Sequence, residues 1–222
     1  MFEVSTFAAG AVFVTVLIFR VIYLAVTPPK APNGKHLRTM IVLGSGGHTA
    51  EMLRLVEAMR PEIYVPRIYV VAATDKLGTA KAAQAELQLS QNMAVPPTIT
   101  AKTHEVAIIP RSREVGQSWS SSVITTAWAI LVSIVLVFKQ SPDVVLCNGP
   151  GTCIPIVLAA FTMRVLGLKS VHIIYIESIA RVDHLSLTGK ILYHLRLSNL
   201  FLVQWEKLAD KLPRAKFISR LM

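Results

Sequence analysis

Residues 4–26 form an apolar run broken by one charge, Arg20, and the chain beyond residue 38 alternates short apolar runs with helical patterns. About 20 apolar residues cross a bilayer core, so 4–26 reads as a transmembrane helix. Arg20 lies near its C-terminal end, where a long side chain reaches the interface. A cleaved signal peptide is the competing reading, but it wants a basic start and a shorter apolar core. Here Glu3 precedes the run, while Lys30, Lys35 and Arg38 follow it. The positive-inside rule then puts the N-terminus in the lumen and everything after residue 30 in the cytosol. Residues 28–37, rich in Pro and Lys, read as a linker between the 1–27 anchor segment and a 38–222 domain.

Within that domain the spacing predicts strands at 39–43, 67–73, 105–109, 144–147, 171–176 and 199–204. It predicts helices at 49–60, 76–89, 119–139, 153–166 and 187–197, with a loop over 90–103. Strands alternating with helices imply an α/β fold, a doubly wound parallel sheet with right-handed crossovers. The run 123–138 is apolar enough for a second span but has only 16 residues. A span there would strand 144–147 on the opposite side of the membrane from the first three strands. A buried or membrane-grazing helix is therefore expected.

Ligands of open parallel sheets sit beyond the carboxyl ends of the strands. The polar, glycine-rich clusters fall there: 44–49, Thr74 with Asp75, 110–117, 148–152 and 177–181. Gly44-Ser45-Gly46-Gly47-His48-Thr49 is not a dinucleotide fingerprint, because Thr49 stands where the third glycine belongs. Asp75 follows Gly44 by 31 residues rather than about 20, which also argues against a nicotinamide-dependent oxidoreductase. What the loop offers is bare backbone N–H groups at a helix start, suited to an anion; a tight turn with nothing bound is the alternative. His48 can accept a proton or donate to an anion, or simply cap or pack. Arg111 and Arg113 supply two guanidiniums suited to phosphate, or a solvated loop paired with Glu114. Asn148-Gly149-Pro150-Gly151-Thr152 makes a second glycine turn before a helix. Glu177 ends an apolar strand and needs a partner, with Arg181 the nearest candidate; a structural ion pair is the alternative.

Composition narrows the class. The 222 residues are 53% apolar and carry a net charge of +10. From residue 162 onward ten basic side chains face four acidic ones. No aromatic-rich basic motif accompanies them, so a membrane surface or a diphosphate is the expected partner and nucleic acid is not. Many of these lysines are individually only solvated. Cys147 and Cys153 lack metal-ligand spacing and read as small buried hydrophobes. No paired-aspartate metal motif occurs, so neither metal nor other cofactor is expected.

The stretches "GSGGHTAEMLRL", "IPRSREVGQSW", "VVLCNGPGTCIPI", "YIESIARVDHLSLTGKILYHL" and "LFLVQW" occur in that order. Together they resemble the membrane-anchor subunits of the two-component UDP-N-acetylglucosamine transferases. These add the second sugar to the dolichol-linked oligosaccharide of N-glycosylation. The resemblance runs from about residue 38 to the end. It implies a Rossmann-like domain, the N-terminal acceptor half of a GT-B glycosyltransferase. It implies a cytosolic catalytic subunit that holds most of UDP-N-acetylglucosamine and forms a heterodimer with this chain, in a larger assembly with the preceding sugar-phosphate transferase. The place implied is the endoplasmic reticulum and nuclear membrane, single-pass, with the domain in the cytosol. Gly44, Ser45, Gly46, Gly47, Thr49, Arg111, Arg113, Asn148, Gly149 and Gly151 would hold the acceptor diphosphate. His48 would be the base and Glu177 the carboxylate of the site, while Trp205, Phe217 and Leu221 would hold the partner. Two positions depart from the family pattern: Glu206 where proline is common, and Ser219 where glycine is usual. A pure membrane recruiter, with all chemistry on the partner, is the alternative reading.

Overall fold

The computed structural model describes residues 2–27, 29–92, 103–112 and 116–219. Seven helices and seven strands alternate among them. In chain order they are α1 (Phe2–Val26), β1 (Thr39–Val42), α2 (Gly47–Ala58), β2 (Arg67–Ala72), α3 (Gly78–Asn92), β3 (His104–Ile109) and α4 (Trp119–Gln140). There follow β4 (Val144–Asn148), α5 (Cys153–Val165), β5 (His172–Ile176), α6 (Leu187–His194), β6 (Leu200–Val203), α7 (Glu206–Asp210) and β7 (Ala215–Phe217). The strands form one parallel sheet in the order β3-β2-β1-β4-β5-β6-β7. The order reverses between β1 and β4, where Thr39 pairs with Arg67 on one side and Val144 on the other.

The central strands are apolar throughout because both sheet faces are covered. On one face Ile41, Leu43, Tyr69 and Val71 pack against Met52, Leu53 and Val56 of α2 and Ala82, Ala85 and Leu89 of α3. On the other, Met40, Val42, Ile68 and Val70 share a core with α5 and with Val137 of α4. Cys147 and Cys153 are free and fully buried in that second core. Under α3 lies a buried polar knot: Arg67 Nε donates to Glu86 Oε1 at 2.5 Å and Tyr69 Oη donates to the same oxygen at 2.7 Å. A hydrogen bond to a charged acceptor contributes about 2 kcal/mol. Tyr69→Phe should lower unfolding stability by that amount in a denaturant titration.

The expected strands are present with ends shifted by a residue or two, and β7 and α7 were not foreseen. The three residues Ala215–Phe217 lie in a basic segment without an apolar run, so only pairing with β6 makes them a strand. The expected loop begins later than residue 90, since α3 continues to Asn92; residues 93–102 lie outside the described ones.

α4 connects β3 to β4, two parallel strands of one sheet, so it cannot cross a bilayer without tearing that sheet. It is not buried all round either. Ala129, Ser133 and Val137 face inward, while Val123, Ile124, Trp128, Leu131 and Val135 form an outward ridge, each more than half exposed. The expectation of a buried helix therefore holds for one face of α4 and not for the other.

Arg20 reaches across to the C-terminal end of α5. Its Nε donates to Val165 O and its Nη2 to Arg164 O at 3.2 Å. The last carbonyls of a helix lack intrahelical donors and carry partial negative charge, so a guanidinium fits there. Arg164 Nη2 in turn donates to Leu24 O at 3.2 Å. Two arginines thus pin the end of α1 to the end of α5.

Candidate functional site

The reversal of strand order brings the ends of β1 and β4 together, and both of their loops turn on glycine. Gly46, at φ 63°, precedes the first turn of α2 and offers no side-chain cap. The helix therefore begins with uncapped N–H donors, an anion-favouring end. Gly44 and Gly149 are required by close approach. A Cβ on Gly44 would stand 2.7 Å from Pro150 Cγ and 2.8 Å from His48 Cβ. A Cβ on Gly149, at φ 53°, would stand 2.3 Å from His48 Cε1. The His48 ring therefore rests on the backbone of the second glycine loop. Gly149→Ala combines left-handed strain with overpacking and should cost about 3 kcal/mol, seen as a lowered melting temperature of the purified chain.

Behind the loops a buried network fixes their spacing. Asn148 Nδ2 donates to His48 O at 2.9 Å and to Glu51 Oε2 at 3.4 Å. Ser178 Oγ donates to Glu51 Oε1 at 2.9 Å. Glu51, 5% exposed, thus ties the ends of β1, β4 and β5. The sequence reading passed over Glu51. Its signal was position: it lies three residues after His48 on the buried face of α2. His48 Nδ1, Asn148 Oδ1 and Asp75 Oδ2 are buried and lack a hydrogen-bond partner among the described residues.

A cleft of about 520 Å³ opens at this edge. Gly44 and Ser45 wall it from the first loop, Gly149 and Gly151 from the second. Arg111 and Arg181 contribute two cations to its wall, and Asp75 a carboxylate. Arg111 Nη1 reaches Thr74 Oγ1 at 3.4 Å, tying the loops after β2 and β3.

Other residues expected at the site lie elsewhere. Gly46, Gly47 and His48 do not line this cleft; His48 stands against Gly149, which does. The Thr49 hydroxyl donates to Gly44 O and is buried, so it closes the loop and does not line the cleft. Asn148 is likewise buried and positions His48. Arg113 and Leu221 lie outside the described residues.

Glu177 is 0% exposed and does not line the cleft. Its Oε2 accepts from Ser186 N at 2.9 Å and Ser186 Oγ at 3.1 Å, and its Oε1 from Ser178 N at 3.1 Å and Tyr175 Oη at 3.3 Å. Backbone amides and hydroxyls satisfy it, not the Arg181 ion pair expected from sequence. Burial pushes its carboxyl above the ordinary range, against the bonds from Ser186 and Ser178. Ser186 also caps α6 by accepting from Gly189 N at 2.9 Å, so Glu177 holds the Ser186–Thr188 rim in place.

Of the residues expected to meet a partner, Trp205 is half-buried against the core and its Nε1 donates to Ile179 O at 2.7 Å. Phe217 is exposed on β7, the edge strand.

The Alg14-like family of oligosaccharide biosynthesis proteins matches residues 39–221. The chain is 44% identical over 222 residues to the mouse UDP-N-acetylglucosamine transferase subunit ALG14, covering all of both chains. To the human protein of the same name it is 43% identical, over 97% of this chain and 96% of that one. To the Schizosaccharomyces pombe protein it is 43% identical over 86% and 85%. Among solved structures, MurG of Acinetobacter baumannii superposes with a TM-score of 0.52 at 14% identity, over 82% of this chain but 45% of MurG. That likeness is one of fold.

Proposed function

The chain belongs to the Alg14-like family of oligosaccharide biosynthesis proteins, and from that premise we propose how it works within a UDP-N-acetylglucosamine transferase. It is the membrane-anchoring, acceptor-side subunit of that glycosyltransferase and recruits a second subunit. The reaction is transfer of N-acetylglucosamine to N-acetylglucosaminyl-diphospho-dolichol. It runs only in complex with a cytosolic subunit that holds most of the donor.

The observation carrying this reading is the meeting of two glycine loops at the reversal of strand order, with bare backbone donors at the start of α2. Such donors suit a diphosphate, and Arg111 adds charge to the neighbouring cleft that Gly44, Ser45, Gly149 and Gly151 wall. Ser45, Gly149 and Gly151 would meet the diphosphate directly. His48 is assigned as the base that takes the proton of the attacking sugar hydroxyl; its ring sits against Gly149, one residue from the cleft. Asn148 and Glu51 would act through His48 and its loop. Trp205 and Phe217 mark the partner-facing end of the sheet.

The location proposed is the endoplasmic reticulum membrane. α1 crosses it with its N-terminus lumenal, and the 38–222 domain lies in the cytosol. The outward ridge of α4 would lie in the headgroup region with Trp128 at the interface, because an exposed apolar helix face beside an anchor is suited to an interface. The test is transfer from UDP-N-acetylglucosamine to a phytanyl-diphosphate-linked sugar, with this chain and the partner subunit supplied separately and together. Turnover only when both are present is expected. Equal turnover by the partner alone would leave this chain as a recruiter.

A further inference from the structure

A second cleft, about 310 Å³, lies at the opposite rim of the sheet, against Leu24, Ala25 and Val26 of the last turn of α1. Arg196, Arg214 and Lys216 line it, and among the described residues no acidic side chain does. Beside it lies Arg164, only 3% exposed. Among the described residues its guanidinium meets neutral groups alone: Asn199 Oδ1 at 3.4 Å, Leu24 O at 3.2 Å and the face of Phe161 at 5.5 Å. Both oxygens belong to residues of the cleft wall. Among the described residues no carboxylate pairs with Arg164, Arg196, Arg214 or Lys216. Asp183 is engaged elsewhere, with Lys207 at 2.6 Å and Lys211 at 3.6 Å.

A buried cation without a counter-charge is costly, and clustering three more around it compounds the cost. Arg214 offsets part of its own by lying 4.1 Å over the Tyr193 ring and donating to Tyr193 O at 2.5 Å. Arg196 takes a left-handed backbone, φ 54°, which a bulky side chain adopts only under constraint. An anion in the cleft would relieve the group, and arginines bind phosphate oxygens in pairs. The position names the source. If α1 is the anchor, its last turn leaves the bilayer at headgroup depth on the cytosolic side, where basic pockets beside membrane helices take acidic headgroups.

We propose that this cleft seats the phosphate of an acidic phospholipid headgroup from the cytosolic leaflet, supplying the counter-charge that Arg164 and its neighbours lack. The inference rests on reading α1 as the membrane anchor. The site is separate from the diphosphate cleft, which lies at the other ends of the strands.

The full-length chain in a neutral detergent, mixed with dioctanoyl phosphatidylinositol, dioctanoyl phosphatidylcholine or inorganic phosphate, tests it by native mass spectrometry. Phosphatidylinositol should bind, and the other two should bind far more weakly. Each basic residue near an anionic surface contributes about 1 kcal/mol and 1.4 kcal/mol is tenfold, so R196Q with K216Q should weaken binding about thirtyfold. Both positions lie at the surface, and circular dichroism of the double variant confirms its fold. Inorganic phosphate binding as tightly as the lipid would overturn the lipid source. Unchanged lipid binding in the folded double variant, or none in the wild type, would overturn the site. Carbonate extraction of microsomes tests the anchor separately: release of the wild-type chain would refute the membrane reading of α1, while retention without lipid binding would refute only the headgroup site.

Discussion

His48→Ala, assembled with the partner subunit, should retain partner binding in a pull-down and lose turnover by about a hundred- to ten-thousandfold, the range ascribed to a positioned general base. Removing the ring leaves the main-chain frame intact, because Asn148 grips the His48 carbonyl rather than its imidazole. The space over Gly149 opens, but no buried donor loses its acceptor. The loss should therefore fall on kcat while the melting temperature changes little. An intermediate variant, His48→Asn, keeps a polar group and should recover little turnover, because an amide does not take up a proton near neutral pH. Wild-type turnover in His48→Ala would remove chemistry from this subunit and leave the recruiter reading.

Glu177→Ala should behave differently. The resemblance offers this carboxylate for catalysis, yet its four bonds hold the rim that follows β5. Its removal strands two backbone N–H groups, and each buried unsatisfied donor costs about 1–3 kcal/mol. With the hydroxyls of Ser186 and Tyr175 also affected, a loss of about 4 kcal/mol follows. In a chain of this size that lowers the melting temperature by about 10 °C. Lost turnover in this variant would accompany lost stability, so Glu177→Ala cannot separate catalysis from recruitment as His48→Ala can. Unchanged melting with abolished turnover would restore the catalytic assignment.

The pH dependence follows from the same burial. The folded pKa of Glu177 lies above its unfolded value, so the folded state binds more protons in that interval. The stabilising contribution of the protonated carboxyl is complete below the unfolded value, near 4.5, and is lost as pH rises through the folded one. Between these limits the wild type should lose stability with rising pH more steeply than Glu177→Ala. A parallel pair of stability curves across that window would show that the carboxylate is not desolvated.

Period and punctuation determined much of this protein on their own. The apolar run of β1 is long enough for a strand and too uniform for a half-exposed one, so a central parallel strand follows from local sequence. The glycines of 44–47 and 149–151 mark strand-to-helix turns without reference to any distant residue, because their steric freedom is a local property. Tertiary structure alone decided which polar groups line the cleft. Thr49 and Asn148 sit in the right loops, yet one closes its own turn and the other reaches back to His48. Glu177 is answered by Ser186, nine residues on, because the chain folds back over it; Arg181 stands nearer in sequence and lines the cleft instead. Glu51 and Arg164 look like ordinary surface charges on helices until packing buries one among three loops and the other beneath α1. Spacing along the chain specifies which side of an element a residue occupies. What that side meets depends on elements a hundred residues away, and the partners of a buried charge are settled only when those elements close over it.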